Sequence, residues 1–352
     1  MTNPLRVVVV GSGIGAQHIR AFRAAPDLFE VAAICDIDPQ RAGPLAKEHA
    51  IPELLTNFET AIRRTDVDII DICTPPNLHF AQISAAAKAG KHVICEKPIV
   101  GSLAELDQLE DLAETTGQQI MPIFQYRFGR GLQKLKYLVD RQLTGEAFVF
   151  NVDVAWWRSR EYYSVPWRGK RATELGGAML SQAIHAVDMV FHILGPARTL
   201  FARTATRVNP IEVEDCVAIA IEMSDGSLGT ISVTLGSAAQ ISRHRFTFRN
   251  LSAESNTEPY ANSAEPWAFS FPEEKPDERI EGALKEFTPS AEGYEGQFRR
   301  FHHSLRQTTP PPVCLADARR VLEFIAAVYY SAENGERVSL PLTRTNPKYI
   351  EL

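Results

Sequence analysis

The sequence predicts an α/β fold in which a doubly wound parallel sheet precedes an α+β domain with a large, mostly antiparallel open sheet. Up to about residue 124, short β-branched segments alternate with helical segments, which is typical of a parallel sheet covered by helices on both faces. Beyond that point, longer segments with strand character follow one another. Ser224, Asp225 and Gly226 form a hairpin signal between two of them.

In the first domain, strands are expected at residues 7–10, 31–35, 69–73, 93–95 and 120–124. Helices are expected at residues 16–24, 39–49, 57–63, 78–89 and 102–115. Gly90 and Gly117 lie just beyond two of these helices, where glycine commonly ends a helix. Ligands of such sheets bind outside the carboxyl ends of the strands, so the loops that follow the strands are the places to look for a site.

The second domain is expected to begin with a helix at residues 130–141. Strands are predicted at residues 146–157, 200–208, 216–223, 227–235 and 243–250, and helices at 292–307 and 316–334. Residues 253–290 are polar and rich in proline, which predicts an extended surface excursion, and residues 341–352 are expected to lie against a surface or a partner. The open sheet leaves a face for another copy of the chain. We therefore expect a homodimer or homotetramer formed through this sheet.

Composition excludes several classes of protein. The chain has 352 residues, of which 45% are apolar and 23% charged, as in a soluble globular protein large enough for two cores. A net charge of −6 without a basic stripe argues against nucleic-acid binding. The first residues do not resemble a signal peptide and no apolar run approaches a membrane span, so a cytoplasmic protein without membrane contact is expected. The five cysteines lack C-x-x-C spacing, and the adjacent His302 and His303 diverge on a helix, so no metal site is expected.

A glycine-rich turn follows the first apolar segment. Gly11 permits a tight reversal, Gly13 lets the backbone approach a pyrophosphate, and the small Ala16 lets the next helix lie close to the strand. The diphosphate would bind the N–H groups at the start of that helix, near Ile14 and Gly15. An ordinary glycine turn is the alternative, but the flanking strand and helix favour a dinucleotide-binding fingerprint.

Asp36 supports this interpretation. It ends the second predicted strand about twenty residues beyond the turn, where a carboxylate accepts hydrogen bonds from the adenosine ribose hydroxyls. Arg41 lies nearby and is able to contact the 2′-phosphate of NADP, but the carboxylate of Asp36 would repel that phosphate. The sequence therefore favours NAD over NADP as the cofactor.

Two further loops follow predicted strands. One contains Thr74, Pro75, Asn77 and His79, and is expected to lie near the nicotinamide ribose. Alternatively, its prolines start a helix and His79 caps or packs. The other loop contains Glu96, Lys97 and Pro98, and a lysine at a strand end beside a cofactor is well placed to bind a substrate hydroxyl. Gln125, after the last strand of the first domain, completes the predicted cofactor site.

The chain resembles the glucose-fructose oxidoreductase and inositol dehydrogenase family, called Gfo/Idh/MocA, over nearly its whole length. The resemblance is carried by the segment from Thr74 to His79, by Glu96-Lys97-Pro98, by Tyr126-Arg127-Phe128, and by Gly176-Gly177 leading to His185 and Asp188. It implies an NAD(P)-binding Rossmann domain at residues 1–124 and a substrate-binding and oligomerisation domain at residues 125–352. It also implies oxidation or reduction of sugars, inositols or their derivatives, with Lys97 and His185 carrying proton transfer and substrate positioning.

Elementary chemistry agrees with these roles. Oxidation of a secondary alcohol passes a hydride to the nicotinamide while a base accepts the hydroxyl proton. His185 is our first choice for this acid/base role because imidazole titrates near neutral pH. Many family members carry aspartate four residues before the histidine, whereas this chain has Ser181. Lys97 would then take a larger share of the proton transfer.

Ser181, His185 and Asp188 are predicted to share one helix face. Asp188 either orients His185 or pairs with a cation. Other candidate substrate contacts are aromatic, guanidinium or amide side chains, namely Arg127, Trp157, Tyr163, Arg168 and Gln182. Trp156 and Trp157 alternate along a strand, so at most one of them should face the substrate.

The sequence thus predicts an NAD-dependent sugar or cyclitol dehydrogenase. A lyase or glycosidase that oxidises a ring carbon transiently would use the same residues, and net NADH formation separates the two. A non-catalytic nucleotide-binding protein is the third interpretation.

Overall fold

The structure is a computed structural model that describes residues 3–272 and 277–352. By their contacts, these residues form two units. The N-terminal unit comprises residues 3–124 and Tyr294–Ala318, and the second unit comprises the described residues of Gln125–Gly293 and Arg319–Leu352. The chain therefore crosses between the units at Phe124 and Gln125, and at two later points. The assignment of separate cofactor and substrate roles to residues 1–124 and 125–352 stays a prediction.

The N-terminal unit contains a six-stranded sheet whose strands are all parallel. Its strands are β1 (Leu5–Val10), β2 (Phe29–Cys35), β3 (Leu54–Leu55), β4 (Ile69–Ile72), β5 (His92–Cys95) and β6 (Ile120–Pro122). The order β3-β2-β1-β4-β5-β6 reverses direction between β1 and β4, which is the switch point where doubly wound sheets bind ligands. The predicted parallel sheet is confirmed. The two-residue β3 was missed because so short a segment has no detectable periodicity.

Five helices connect these strands: α1 (Gly15–Arg23), α2 (Pro39–Glu48), α3 (Phe58–Ile62), α4 (His79–Lys88) and α5 (Leu103–Thr116). Local signals set several of their ends. Asp38, Asn57 and Ser102 accept backbone N–H groups in the first turns of α2, α3 and α5. Gly117, with φ of +69°, ends α5 in the left-handed conformation that glycine adopts without strain.

The second unit contains an eight-stranded mixed sheet, in the order β13-β12-β11-β7-β10-β9-β8-β14. Its strands are β7 (Ala147–Trp157), β8 (Ala197–Ala205), β9 (Cys216–Met223), β10 (Leu228–Thr234), β11 (Gly236–Phe248), β12 (Ser252–Glu254), β13 (Ala268–Ser270) and β14 (Val338–Ser339). All neighbours are antiparallel except β7 and β10. The other α-helices within the described residues are α6 (Arg130–Asp140), α7 (Arg171–Glu174), α8 (Ala178–Ser181), α9 (Ile184–Leu194), α10 (Glu278–Glu286), α11 (Gly293–Gln307) and α12 (Leu315–Asn334). The large, mostly antiparallel sheet is as predicted.

One face of this sheet is open. Along β7, Phe150, Val152 and Val154 are buried, whereas the residues between them are exposed or half-buried. This period-two pattern shows that only one face is covered within the unit. The hairpin between β9 and β10 also forms as predicted, because Gly226 adopts a φ of +89° and Asp225 accepts the N–H of Ser227.

The interpretation of residues 253–290 as a surface excursion is wrong for most of that segment. It contains β13, α10 and buried side chains, among them Asn262, Ser263 and Trp267. The Trp267 indole lies against Gly131 of α6, where a Cβ would be 2.0 Å from the ring. One glycine on the neighbouring helix therefore makes room for a tryptophan in a stretch that is polar overall. Residues 273–276, the rest of that proline-rich prediction, lie outside the described residues.

Within the described ranges, no single helix is long and apolar enough to cross a membrane. Two consecutive helical segments, Arg171–Ser181 and Ile184–Leu194, are long and apolar enough only when taken together, and their axes are inclined by 48° at the break between them. Nearly all of Ile184–Leu194 is buried in the second unit.

Candidate functional site

The glycine turn has the geometry that a dinucleotide requires. Gly11 has a φ of +101°, and a Cβ there would lie 2.6 Å from the carbonyl oxygen of Cys73. A Cβ at Gly13 would meet only Arg41, at 3.8 Å. Gly11 is therefore needed by the fold, whereas the backbone at Gly13 is left open to a ligand.

The close approach of helix to strand depends on Gly15 and not on Ala16, which corrects the sequence interpretation. A Cβ on the buried Gly15 would lie 3.0 Å from Val9 Cγ1 and 3.5 Å from Cys73 Cβ, whereas Ala16 is half-buried. Ile14 precedes α1 and is exposed, and no side chain caps the helix there. The first N–H groups of α1 are thus available to an anion.

Asp36 is fixed beside this turn. Its Oδ2 accepts the backbone N–H of Ser12 at 2.8 Å as well as the Ser12 hydroxyl, and its Oδ1 accepts the N–H of Asp38 at 2.9 Å. Burial raises the pKa of Asp36, but these hydrogen bonds and the charge of Arg41 outweigh burial and lower the pKa overall. The carboxylate is therefore ionised at neutral pH. The turn and Asp36 fit an adenosine ribose and a diphosphate.

A buried polar network lies under the carboxyl ends of β4 and β5, and sequence reasoning missed it. His18 of α1 is fully buried, with Nδ1 2.9 Å from Asp71 Oδ2 and Nε2 3.1 Å from Glu96 Oε1. The Tyr294 hydroxyl donates to the same Glu96 oxygen at 3.0 Å, and Glu96 Oε2 accepts the N–H of Lys97 at 3.0 Å. Glu96 thus holds the backbone that carries Lys97.

His18 is positively charged in this network. Both of its ring nitrogens face carboxylate oxygens, so both must donate. Burial is the largest single effect and lowers the pKa of His18, but Asp71 and Cys73 together outweigh burial through charge and hydrogen bonds, and the pKa lies well above its ordinary value. The polar atoms of His18, Asp71 and Cys73 lie within 4.8 Å of one another. The 2.9 Å separation of His18 and Asp71 is that of a hydrogen bond.

His79 joins two of the predicted cofactor loops from below. It is fully buried, with Nδ1 2.7 Å from the Pro98 carbonyl and Nε2 2.9 Å from the Thr74 carbonyl. Burial lowers the pKa of His79. The structure therefore gives His79 the packing role that was its alternative interpretation. Thr74 donates its hydroxyl to Gln82 at 2.6 Å, and Asn77 is exposed.

In the second unit, Tyr126 and His185 stack with ring centroids 4.7 Å apart and planes inclined by 21°. Arg127, next to Tyr126, makes a buried two-point ion pair with Asp188, one turn beyond His185. Asp188 therefore pairs with a cation, which was one of its two predicted roles. The two contacts join the segment Gln125–Phe128 to α9.

The helix that was expected to carry Ser181, His185 and Asp188 is interrupted. α8 ends at Ser181 and α9 begins at Ile184, and the N–H of Ala183 reaches back to the carbonyl of Ala178 at 2.8 Å. The prediction of one continuous helix face is wrong because the chain leaves the helix at residues 182–183, between α8 and α9. Ser181 hydrogen-bonds through its hydroxyl to the Gly176 carbonyl at 3.5 Å.

Glu214 organises that turn and was not predicted. Its carboxylate accepts the N–H groups of Gly177 at 3.0 Å and Met179 at 2.9 Å, and the Tyr329 hydroxyl at 3.0 Å. A Cβ on Gly177 would lie 2.0 Å from the Glu214 backbone oxygen. Burial raises the pKa of Glu214 although these donors oppose it. The double glycine was the one signal of this contact in the sequence, but nothing in the sequence identified Glu214 as the residue that lies against it.

The predicted substrate contacts fall into two groups. Trp156 is buried and Trp157 is half exposed, so the two lie on opposite faces of β7. Arg158 lies over Trp156, while Arg168 lies over Tyr162, donates to its hydroxyl and is 3.4 Å from the buried Glu174. Tyr163 is half-buried, and burial raises its pKa. Trp157 is thus separated from the aromatic and guanidinium cluster that contains Arg168.

A parallel doubly wound sheet with an open glycine turn and an ionised Asp36 defines a dinucleotide-binding protein. Two family models match the chain: an oxidoreductase family with an NAD-binding Rossmann fold over residues 5–124, and the GFO/IDH/MocA C-terminal domain over residues 132–249. The chain belongs to the GFO/IDH/MocA family of oxidoreductases. Its N-terminal domain is an NAD-binding Rossmann domain.

Three known proteins illustrate the relationship. The chain superposes on the WlbA dehydrogenase of Bordetella pertussis, solved with NADH and UDP-GlcNAcA, with a TM-score of 0.84 and 26% identity, covering 97% of this chain and 100% of that one. It is 23% identical to D-glucoside 3-dehydrogenase of Escherichia coli over 96% of this chain and 98% of that protein. It is 27% identical to myo-inositol 2-dehydrogenase of Thermotoga maritima over 64% of this chain and 67% of that protein. Other curated relatives are matched over about two thirds of their length.

Proposed function

We propose that this protein is an NAD(H)-dependent dehydrogenase that transfers hydride between nicotinamide and a secondary alcohol of a sugar, sugar derivative or inositol. The observation that carries the proposal is that a chain of this oxidoreductase family has both a lysine just after β5 and a histidine in the first turn of α9. The relatives D-glucoside 3-dehydrogenase and myo-inositol 2-dehydrogenase support the substrate class.

The chemistry needs two groups from the protein. When bound, NAD accepts the hydride from the carbinol carbon, and the hydroxyl proton must go to a base. We assign that proton to His185, with Lys97 donating a hydrogen bond to the reacting oxygen and sharing the proton transfer. Tyr126, stacked on His185 at 4.7 Å, holds the imidazole plane. Ser181 supplies no charge to the imidazole, so Lys97 has a larger part here than in relatives with aspartate.

The cofactor preference follows from Asp36. Its ionised carboxylate favours two ribose hydroxyls and disfavours a 2′-phosphate, so we assign NAD in preference to NADP. The other residues assigned to the cofactor are Gly11, Gly13, Ile14, Gly15, Arg41, Thr74, Pro75, Asn77, Glu96, Lys97 and Gln125. For the substrate we assign Tyr163, Arg168, Ser181 and Gln182. Because its guanidinium is held by Asp188, Arg127 acts by positioning and not by direct contact.

The open sheet face is assigned to a second copy of the chain. Val149, Phe201 and Leu228 expose between 40% and 56% of their surface, and the strands that carry them pair through β10 and β9. An exposed apolar face on a regular sheet is a typical homo-oligomer interface. The partner is thus another copy, in a dimer or tetramer.

A substrate screen tests the proposed function. Purified protein is given NAD or NADP with sugars, inositols and sugar acids, and reduced nicotinamide is followed by its absorbance. We expect NADH formation with at least one compound, and a loss of about 10²–10⁴-fold in kcat in Lys97→Ala and His185→Ala. Lys88→Ala, at the end of α4, is the matched control and should retain activity. Substrate cleavage without net NADH would instead identify a lyase, and turnover unaffected by both substitutions would refute the assignment.

A further inference from the structure

Arg158 has an unusual environment in the second unit. Its guanidinium lies 5.0 Å from the ring centre of Trp156, 4.8 Å from that of Tyr162 and 5.6 Å from that of Tyr260. Nη1 donates to the Trp157 carbonyl at 2.9 Å and to the Tyr260 hydroxyl at 2.8 Å. Three aromatic rings thus hold the guanidinium in one place. A guanidinium held in this way is preorganised for a ligand.

The positive charge of Arg158 is not balanced in the part of the chain that the structure describes. The Nε atom is buried and has no hydrogen-bond partner within residues 3–272 and 277–352, nor does any carboxylate in those ranges form an ion pair with this side chain. A buried N–H of a permanent cation without an acceptor is costly. An anionic ligand would supply the missing acceptor and the missing charge.

Arg168 provides the contrast within the same cluster. It approaches the Tyr162 ring to 4.1 Å, but its Nη1 lies 3.4 Å from Glu174, which is buried. Its charge is therefore already compensated. Of the two arginines around Tyr162, Arg158 is the one with charge left for an anion.

A recognition site for a hydroxyl group adjoins this cation. Gln182 is 6% exposed and donates its Nε2 to the Tyr162 hydroxyl at 3.1 Å, while its buried Oε1 has no partner within the described ranges. Because the Tyr162 oxygen accepts from both Gln182 and Arg168, its own hydrogen is free to donate. The pair offers one acceptor and one donor, which is what a single ring hydroxyl requires. If the oxygen and nitrogen of the Gln182 amide exchanged places, the buried amide atom without a partner would be a donor instead of an acceptor, and it would still require a ligand.

We propose that the substrate is a sugar acid, with its carboxylate bound by Arg158 and one ring hydroxyl bound between Gln182 and Tyr162. The planar fork of arginine matches a carboxylate through two parallel hydrogen bonds. Arg158, rather than Arg168, is then the residue that discriminates acids from neutral sugars. That the protein oxidises this sugar acid rests on the proposed function, whereas the binding of the sugar acid does not depend on it.

Matched pairs of ligands test the inference. Glucuronate is compared with glucose, galacturonate with galactose and mannuronate with mannose, and glucose 6-phosphate is added as a different anion. Calorimetry on the full-length protein with NAD gives Kd, and NADH absorbance gives kcat/KM. At least one acid should bind about tenfold or more tightly than its neutral partner, as charge-assisted hydrogen bonds predict.

Variants then locate the effect. Arg158→Met removes the fork and should abolish the preference for the acid, while Arg158→Lys keeps the charge and should retain part of it. Gln182→Met should weaken an acid and its neutral partner equally, because it removes only the hydroxyl contact. The exposed Arg160 gives the charge-matched control, since Arg160→Met should leave the preference unchanged. If Arg158→Met does not fold, the preference of Arg158→Lys for the acid over its neutral partner provides the test.

The outcomes separate this inference from the proposed function. Three results would overturn the inference, even if NADH is formed. The first is that neutral sugars bind as tightly as their acids, and the second is that the preference for the acid survives in Arg158→Met and is undiminished in Arg158→Lys. The third is that glucose 6-phosphate binds more tightly than the sugar acids. Acid binding that depends on Arg158, without NADH from any compound, would uphold the inference and refute the proposed dehydrogenase.

Discussion

Arg127 Nε and Nη2 donate to the two carboxylate oxygens of Asp188 at 2.8 and 2.6 Å, and both side chains are buried. The pair joins the segment Gln125–Phe128 to α9, which carries His185. A two-point pair fixes the direction as well as the distance between its elements. The stacking of Tyr126 on His185 therefore depends on a contact made by the next residue along the chain.

Breaking this ion pair should destabilise the protein strongly. Arg127→Met or Asp188→Asn removes one charge of a buried, two-point ion pair, which costs about 3–5 kcal/mol in the free energy of unfolding. Urea unfolding measures the change. Glu281→Gln removes an exposed ion pair of α10 and is the control, with no measurable shift in the midpoint. A buried-pair variant as stable as the wild type would show that the two elements are held by other contacts.

The charge on His18 should appear in the pH dependence of stability. Its pKa in the folded protein is raised above 6.5, so its contribution is complete below that pH and is lost as the pH rises through the folded pKa. The free-energy difference between wild type and His18→Gln should therefore be largest in weak acid and shrink in alkaline solution. His303→Gln, at an exposed position of α11, is the control for replacing a histidine at the surface. A His18→Gln difference that grows with pH would mean that the ring is neutral.

Replacing Asp36 should change the choice of cofactor. Asp36→Asn keeps an oxygen beside the ribose but removes the charge that repels a 2′-phosphate, so the ratio of NAD to NADP affinity should fall by about tenfold or more. Fluorescence titration with each reduced cofactor measures the ratio. Asp38→Asn, at the start of α2, should leave it unchanged. Wild-type protein that prefers NADP would contradict the role given to Asp36.

The double glycine gives a prediction about steric fit. Gly177→Ala would place a Cβ 2.0 Å from the Glu214 backbone oxygen, so the turn before α8 must move and kcat should drop together with stability. Gly282→Ala is the matched control because nothing lies within 4 Å of its Cβ position in α10. That variant should be slightly more stable, by about 0.5–1 kcal/mol. If Gly177→Ala and Gly282→Ala had the same kcat and the same stability, the close contact between Gly177 and Glu214 would not have the role assigned to it.

The open sheet face predicts how the oligomer can be dissociated. Leu228→Lys puts a charge at the start of β10, on the exposed face of the sheet, and should shift the protein towards monomers in sedimentation experiments. Ile350→Lys changes a residue of similar exposure near the C-terminus and should leave the oligomer intact. A wild-type protein that is monomeric at all concentrations would rule out this interface.

Some features of the fold and site could be predicted from the sequence because their causes are local. Glycine is required at position 11 by the backbone angle of that residue. Asp38 and Asn57 are suited to their positions because each caps the helix that follows. Other features depend on long-range partners, which no spacing encodes. Glu96 meets Tyr294 from a distant helix, Glu214 meets Gly177 across a turn, and Trp267 lies in a pocket made by Gly131. The polar composition around Trp267 and the separation of Ser181 from Ile184 therefore misled pattern-based reasoning.

In the reaction that we propose, the protein transfers hydride from a sugar carbinol to nicotinamide. The most direct measurement uses a turned-over substrate that carries deuterium on its carbinol carbons, incubated with NAD, followed by mass spectrometry of the cofactor. We expect deuterium in NADH in proportion to the product formed, and labelling that is about 10²–10⁴-fold slower with His185→Ala. Product formed with the deuterium released to solvent, or with no label in the cofactor at any time, would contradict it.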